Sequence, residues 1–123
     1  MAVGGIRNMS QHYDMRDFDQ PVRVLARISF LSAEAGGRAE PIVQRRYSPQ
    51  HNFQSSKYHF FYIGEVEVPD GATINPGETH DLTINFMGGP GLLESLTVGK
   101  HWRLQEADRL VAYAELLSIL NEP

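Results

Sequence analysis

Residues 31–43 read LSAEAGGRAEPIV, with two glycines, an arginine and a proline in that order. Immediately before them, VRVLARISF (22–30) sets Val22, Val24, Ala26, Ile28 and Phe30 on one side, with Arg23, Arg27 and Ser29 on the other. That period of two predicts a half-buried antiparallel strand. Immediately after them, the run from Pro41 to Tyr47 is again extended. The quoted stretch therefore joins two extended runs, by a hairpin or by a longer crossing connection.

Further along, Ser48-Pro49-Gln50 marks a break, because proline biases the residue before it toward extended backbone. SSKYHFFYIGEVEVPDG (55–71) is rich in aromatic and β-branched residues and closes on a Pro-Asp-Gly turn signal. Asn75-Pro76-Gly77 predicts another turn, after which Leu82, Ile84 and Phe86 alternate with Thr83 and Asn85. MGGPGLLESL (87–96) reads as a loop with one helical turn, and Trp102 and Leu104 share a face. In ADRLVAYAELLSIL (107–120), Leu110, Ala114 and Leu117 fit helical spacing while Val111 and Tyr113 fit a strand; periodicity alone leans to helix. Five or six strands with turns at short intervals predict an all-β barrel or sandwich.

The chain has 123 residues, 41% of them hydrophobic and 21% charged, as expected of one globular domain with its own core. It has no cysteine, which excludes disulfides, thiolate metal sites and a cysteine nucleophile. A polar N-terminal stretch and the lack of any long apolar run make a cytoplasmic protein with no membrane partner the expectation. Charge is uneven along the chain. Residues 1–20 hold two arginines against three aspartates, residues 21–57 hold five arginines and Lys57 against two glutamates, and residues 58–123 hold three bases against ten acids. A basic segment ahead of an acidic one can steer an anionic partner to one face, and is equally the pattern of a solvated surface.

Extended through residue 53, the quoted stretch resembles the start of the C-terminal, third β-barrel domain of elongation factor Tu. Leu31, Ser32, Gly36, Gly37, Arg38, Pro41, Tyr47, Pro49, Gln50 and Phe53 stand where that family's pattern has them. Val66, Val68 and Pro69 are similar to the family's strand ending in Leu-Pro. Pro76-Gly77 matches its Pro-Gly turn, and Leu104 to Arg109 its Ile-Arg-Glu-Gly-Gly-Arg segment. The correspondence runs in order from about Val22 to about Leu117, with an insertion from Met87 to Lys100. The resemblance implies a six-stranded antiparallel β-barrel over residues 21–120 preceded by an arm, residues 1–20. It also makes the tail after Arg109 the last strand, against the helical lean.

In that family the third domain helps hold the T-stem of aminoacyl-tRNA, packs on the nucleotide domain and receives the exchange factor. No G-x-x-x-x-G-K-[ST] motif occurs here, so no GTP site, nucleotide partner or cofactor is expected. The family's arginine is kept as Arg38, but its following histidine is Ala39, the lysine of its later loop has no counterpart in MGGPG, and its Arg-Pro-Gln becomes Ser48-Pro49-Gln50. Each missing cation removes a phosphate contact. The RNA-binding (tRNA) reading rests on Arg38, Arg45 and Arg46, with Tyr47 and Gln50 beside them. Against it, Gly36-Gly37 can simply supply positive φ to a turn, with Arg38 paired to Glu34 or Glu40.

No enzyme is expected. Glu65 and Glu67 lie on one side of a strand whose other side holds Val66 and Val68, the pattern of a wet face rather than an acid/base pair. His12, His51, His59, His80 and His101 form no H-x-H or H-E-x-x-H pair, so no metal site is expected. Ser55-Ser56, His80-Asp81 and Ser95 carry no nucleophile signature. A small hydrolytic or ligand-binding barrel stays open as an alternative, with a buried polar cavity as its sign. The aromatics Phe60, Phe61, Tyr62 and Trp102 are the candidate protein interface. A barrel buries one side of HFFYI, so either Phe61 and Ile63 or Phe60 and Tyr62 face outward or lie under the N-terminal arm. Exposed apolar surface there would mark a protein partner or a homo-oligomer.

Overall fold

Alternation along the strands turns one side of each inward, and the inward sides close on one another as a barrel. The computed structural model describes residues 18–54 and 61–121. Its strands are β1 (Phe18–Asp19), β2 (Val22–Phe30), β3 (Arg46–Tyr47), β4 (Gln50–Asn52), β5 (Tyr62–Glu67), β6 (Thr79–Phe86), β7 (Gly89–Pro90), β8 (His101–Glu106) and β9 (Arg109–Asn121). One helical turn, α1, spans Leu92–Ser95. Antiparallel pairing runs β5–β4–β8–β9–β2–β6 and returns from β6 to β5, closing a six-stranded barrel. The short β3 stands outside the six but continues β4's register on β5. Arg46 and Tyr47 face Glu67 and Val66, and Gln50 and His51 face Ile63 and Tyr62. Pro49 lies in the gap and has no N–H to give the ladder.

A six-stranded barrel is narrow enough for side chains alone to fill it. Val24, Ala26 and Ile28 from β2, Val66 from β5, Ile84 and Phe86 from β6, Leu104 from β8 and Ala114 and Leu116 from β9 are all essentially inaccessible. β2 pairs with β6 and β9, not with the run that comes after it in the chain. The quoted stretch is thus a long crossing connection. The extended reading of 41–47 shrinks to β3 and an isolated bridge, in which Ile42 and Ile74 exchange backbone hydrogen bonds of 2.8 and 3.0 Å.

The helical lean for the tail is overturned: residues 109–121 are a strand of 13 residues. Its register slips once against β8, where Leu104 faces Ala112 but Gln105 faces Leu110, and twice against β2, between Arg23 and Val24 and between Leu25 and Ala26. Each slip is a bulge that adds one residue, here Val111, Leu117 and Leu120. Three extra residues push the apolar spacing above two, and the pattern then mimics a helix.

Of the expected arm, residues 1–17 lie outside the described residues. Phe18 and Asp19 pair with Pro90 and Gly89, in the segment between β6 and β8. There Asp19 accepts a 2.8 Å hydrogen bond from the Leu93 N–H, and Leu92 and Leu96 are buried.

Candidate binding surfaces

The barrel has two chemically different ends. One is covered by the LSAEAGGRAEPIV connection. The N–H groups of Ala35 and Gly37 both bond the Ser32 carbonyl, at 3.1 and 2.9 Å, and Leu31 N–H bonds the Val111 carbonyl at 2.9 Å. Gly36 has φ +95°, which favours glycine. Gly37 is needed for another reason: a Cβ there would sit 2.5 Å from the Leu31 carbonyl oxygen. The fold therefore explains both glycines without a ligand.

Arg38 is held by the same end. Its guanidinium donates to the Glu106 carboxylate and, at 3.1 Å, to the Glu40 carbonyl, and lies over the Tyr47 ring at 5.4 Å from the centroid. Tyr47 also donates its hydroxyl to Glu106. Burial opposes the Arg38 charge, but the hydrogen bond and attraction of Glu106 outweigh it and hold the guanidinium more basic than usual. Burial and the bond to Glu106 push the Tyr47 hydroxyl strongly up, so it stays protonated. Arg109 donates to the Gly37 carbonyl at 3.1 Å, tying the β8–β9 hairpin to the loop. The expected partner carboxylates, Glu34 and Glu40, are corrected to Glu106, with Glu40 contributing only its backbone.

The remaining members of the basic set lie elsewhere. Arg46 points outward and the adjacent Tyr47 inward, as neighbours in a strand must. Arg45 pairs with Asp70 at 2.7 Å, and Arg46 lies 3.8 Å from Glu65. Both line an open groove of about 1000 Å³ on the barrel wall with Glu65, Glu67, Asp70 and Asp81. Arg23 reaches Glu67 at 3.6 Å, and Arg27 makes two hydrogen bonds to Asp81, of 2.9 and 3.1 Å. A phosphate entering this groove would meet four carboxylates and would compete for arginines that already face one. Gln50 is exposed on β4, opposite Ile63 and Gln105.

The other end carries the apolar surface. Phe60 lies outside the described residues. Tyr62 and Trp102 point into the barrel, 2% and 3% exposed, so the outward parity of HFFYI belongs to Phe61 and Ile63. Met87, which in the sequence is indistinguishable from the rest of an irregular loop, completes the surface. Its N–H donates to the Ile63 carbonyl at 3.0 Å, placing the two side by side, and they are 65% and 64% exposed. Phe61, two residues before Ile63, is 43% exposed. Contiguous outward apolar side chains of this kind mark contact surfaces more often than isolated ones do.

Beneath this end His51 is fully buried. Its Nδ1 accepts from the Trp102 indole N–H at 3.0 Å, and its Nε2 lies 2.9 Å from the Gly64 carbonyl. That carbonyl can only accept, so the ring proton is on Nε2 and the imidazole is neutral. Burial pushes its pKa down to about 4. The ring packs edge-on to Phe86, and Phe53 stacks on Trp102 at 4.8 Å between centroids. Gly64 makes room, because a Cβ there would be 2.7 Å from His51 Nε2.

Among the described residues no group of three or more His, Asp or Glu side chains could hold a metal ion. Among them, too, no helix is long and apolar enough to cross a membrane, and every buried side-chain nitrogen and oxygen has a partner. No protein-family model matches the chain, and no curated protein is significantly similar to it.

Proposed function

We propose that this chain is a non-enzymatic binding module, a barrel similar to the third domain of elongation factor Tu, that acts through protein contacts. The observation that carries the reading is the outward row Phe61, Ile63 and Met87 at one barrel end. Its contrast with the basic set adds support. Arg38, Arg45 and Arg46 each face a carboxylate of this chain, so an RNA backbone would have to displace in-chain partners before gaining any contact. The ordered sequence correspondence from Val22 to Leu117 supports the family likeness and points to the factor's own partners, or a toxin or regulator that targets it, as the proteins to try.

Titration of the purified chain with those proteins and, separately, with tRNA at low and high salt tests the reading. Protein binding that changes little with salt is expected, because apolar burial is not screened. Saturable tRNA binding with a steep salt slope, lost in Arg45→Ala/Arg46→Ala, would instead establish the RNA reading.

A further inference from the structure

The seam between β5 and β6 is paired over only part of its length. It holds Gly64 against Phe86, Glu65 against Asn85 and Val66 against Ile84, although β6 begins at Thr79. Successive residues of an antiparallel strand turn their N–H and C=O groups to opposite neighbours. Glu78 gives its carbonyl to Phe30 on the β2 side, and Met87 donates its N–H to Ile63 on the β5 side. Even-numbered positions of β6 therefore serve β2, and Thr79 and Asp81 turn their backbone groups toward β5. The register of the seam would set Pro69 opposite Asp81, and proline has no N–H to give. The chain turns back at once, the Ala72 N–H bonding the Pro69 carbonyl at 3.0 Å. Among the described residues no backbone bond reaches Thr79 or Asp81 from that side.

An open strand edge is a template for another strand, and this one borders the groove on the barrel wall. Val68 and Leu82 line the groove from the two sides of the seam. Its charged lining is four carboxylates, Glu65, Glu67, Asp70 and Asp81, against two guanidiniums, Arg45 and Arg46. Arg23 and Arg27 engage Glu67 and Asp81 from β2, and Arg45 holds Asp70 at 2.7 Å. Glu65 is held least: its side chain is 35% exposed and meets only the 77% exposed Arg46, at 3.8 Å. So loose a pair yields readily to a better donor. A second copy of the chain does not suit this edge, because two such edges side by side would bring their carboxylates together.

We propose that the Thr79–Asp81 edge takes an extended segment of a partner protein as an added β-strand, and that the segment is basic, setting a lysine or arginine against Glu65. Backbone bonds to Thr79 and Asp81 supply affinity, and Glu65 selects the charge. The Phe61, Ile63 and Met87 face takes no part, so this site stands or falls separately from the function proposed above.

Amide-resolved NMR of the full chain tests the site, with a capped peptide alternating threonine and lysine as the probe. In the free chain the Thr79 and Asp81 amides should exchange with solvent faster than those of His80 and Leu82, which bond to β2. With the peptide, the Thr79 and Asp81 signals should shift, saturate and slow in exchange. Methylating alternate peptide nitrogens gives two forms, and only the one whose methyl groups face β6 should lose binding. Replacing lysine by glutamate in the peptide should weaken binding about tenfold, and Glu65→Gln should narrow that preference about threefold. Slow exchange of Thr79 and Asp81 in the free chain, or no saturable shift at either, would overturn the site. Retention of binding in both methylated forms, or loss in both, would overturn the added strand. Equal binding of the glutamate peptide would overturn the basic segment.

Discussion

Charging His51 means breaking its bond with the Trp102 indole or placing a cation in an aromatic core, and the fold resists both. The unfolded chain takes up that proton near pH 6.5 and the folded chain only near pH 4. Between those values the unfolded state binds more protons, so stability falls as pH drops and is fully present above pH 6.5. The loss should amount to about 3 kcal/mol by pH 4. Urea unfolding across pH 4–7 checks this, and the slope due to this group should vanish in His51→Gln. At the opposite end, Arg38→Ala leaves Glu106 and Tyr47 without their cation in a partly buried setting. A cost of about 2 kcal/mol is expected, with Tyr47→Phe losing about 1 kcal/mol. Denaturant midpoints would show it, and a neutral Arg38→Ala would mean that the clamp contributes nothing to the fold.

Among the elements, β9 separates the strand and helix readings most sharply. Ala112, Ala114 and Leu116 point inward, whereas Tyr113 is 46% exposed. Leu116→Ala should therefore cost about 2–5 kcal/mol, and Tyr113→Thr should stay within about 0.5 kcal/mol. Thermal unfolding of the two variants is the check. The same strand explains what is legible in the sequence. β2 and β6 are legible because they are unbulged against each other over eight paired positions, so burial and sequence keep one phase. β9 is not, because Val111, Leu117 and Leu120 each shift that phase, and only likeness to a known barrel indicates a strand. Glycine and proline punctuation locates the connection at 31–43, but the partner of Arg38 is 68 positions away with no local signal. The parity of HFFYI narrows the outward pair to two choices. The reach of Tyr62 to the Pro90 carbonyl decides between them, and it depends on a segment that reads as an irregular loop.

At the largest scale, the described residues form a narrow barrel whose interior is filled by its own side chains. One end is locked by Gly37, Arg38, Tyr47, Glu106 and Arg109, the wall is neutralised by cross-strand ion pairs, and the end bearing Ile63 presents adjoining apolar side chains. The 31–43 connection lies at one end, and the exposed Phe61, Ile63 and Met87 lie at the other. Isothermal titration of an elongation-factor partner protein against three forms of the chain tests that division most directly. Ile63→Asp/Met87→Asp should weaken binding at least tenfold, about 1.4 kcal/mol, while Arg45→Ala/Arg46→Ala should bind like the unaltered chain. Loss of binding in the arginine variant with the apolar variant unaffected would contradict it.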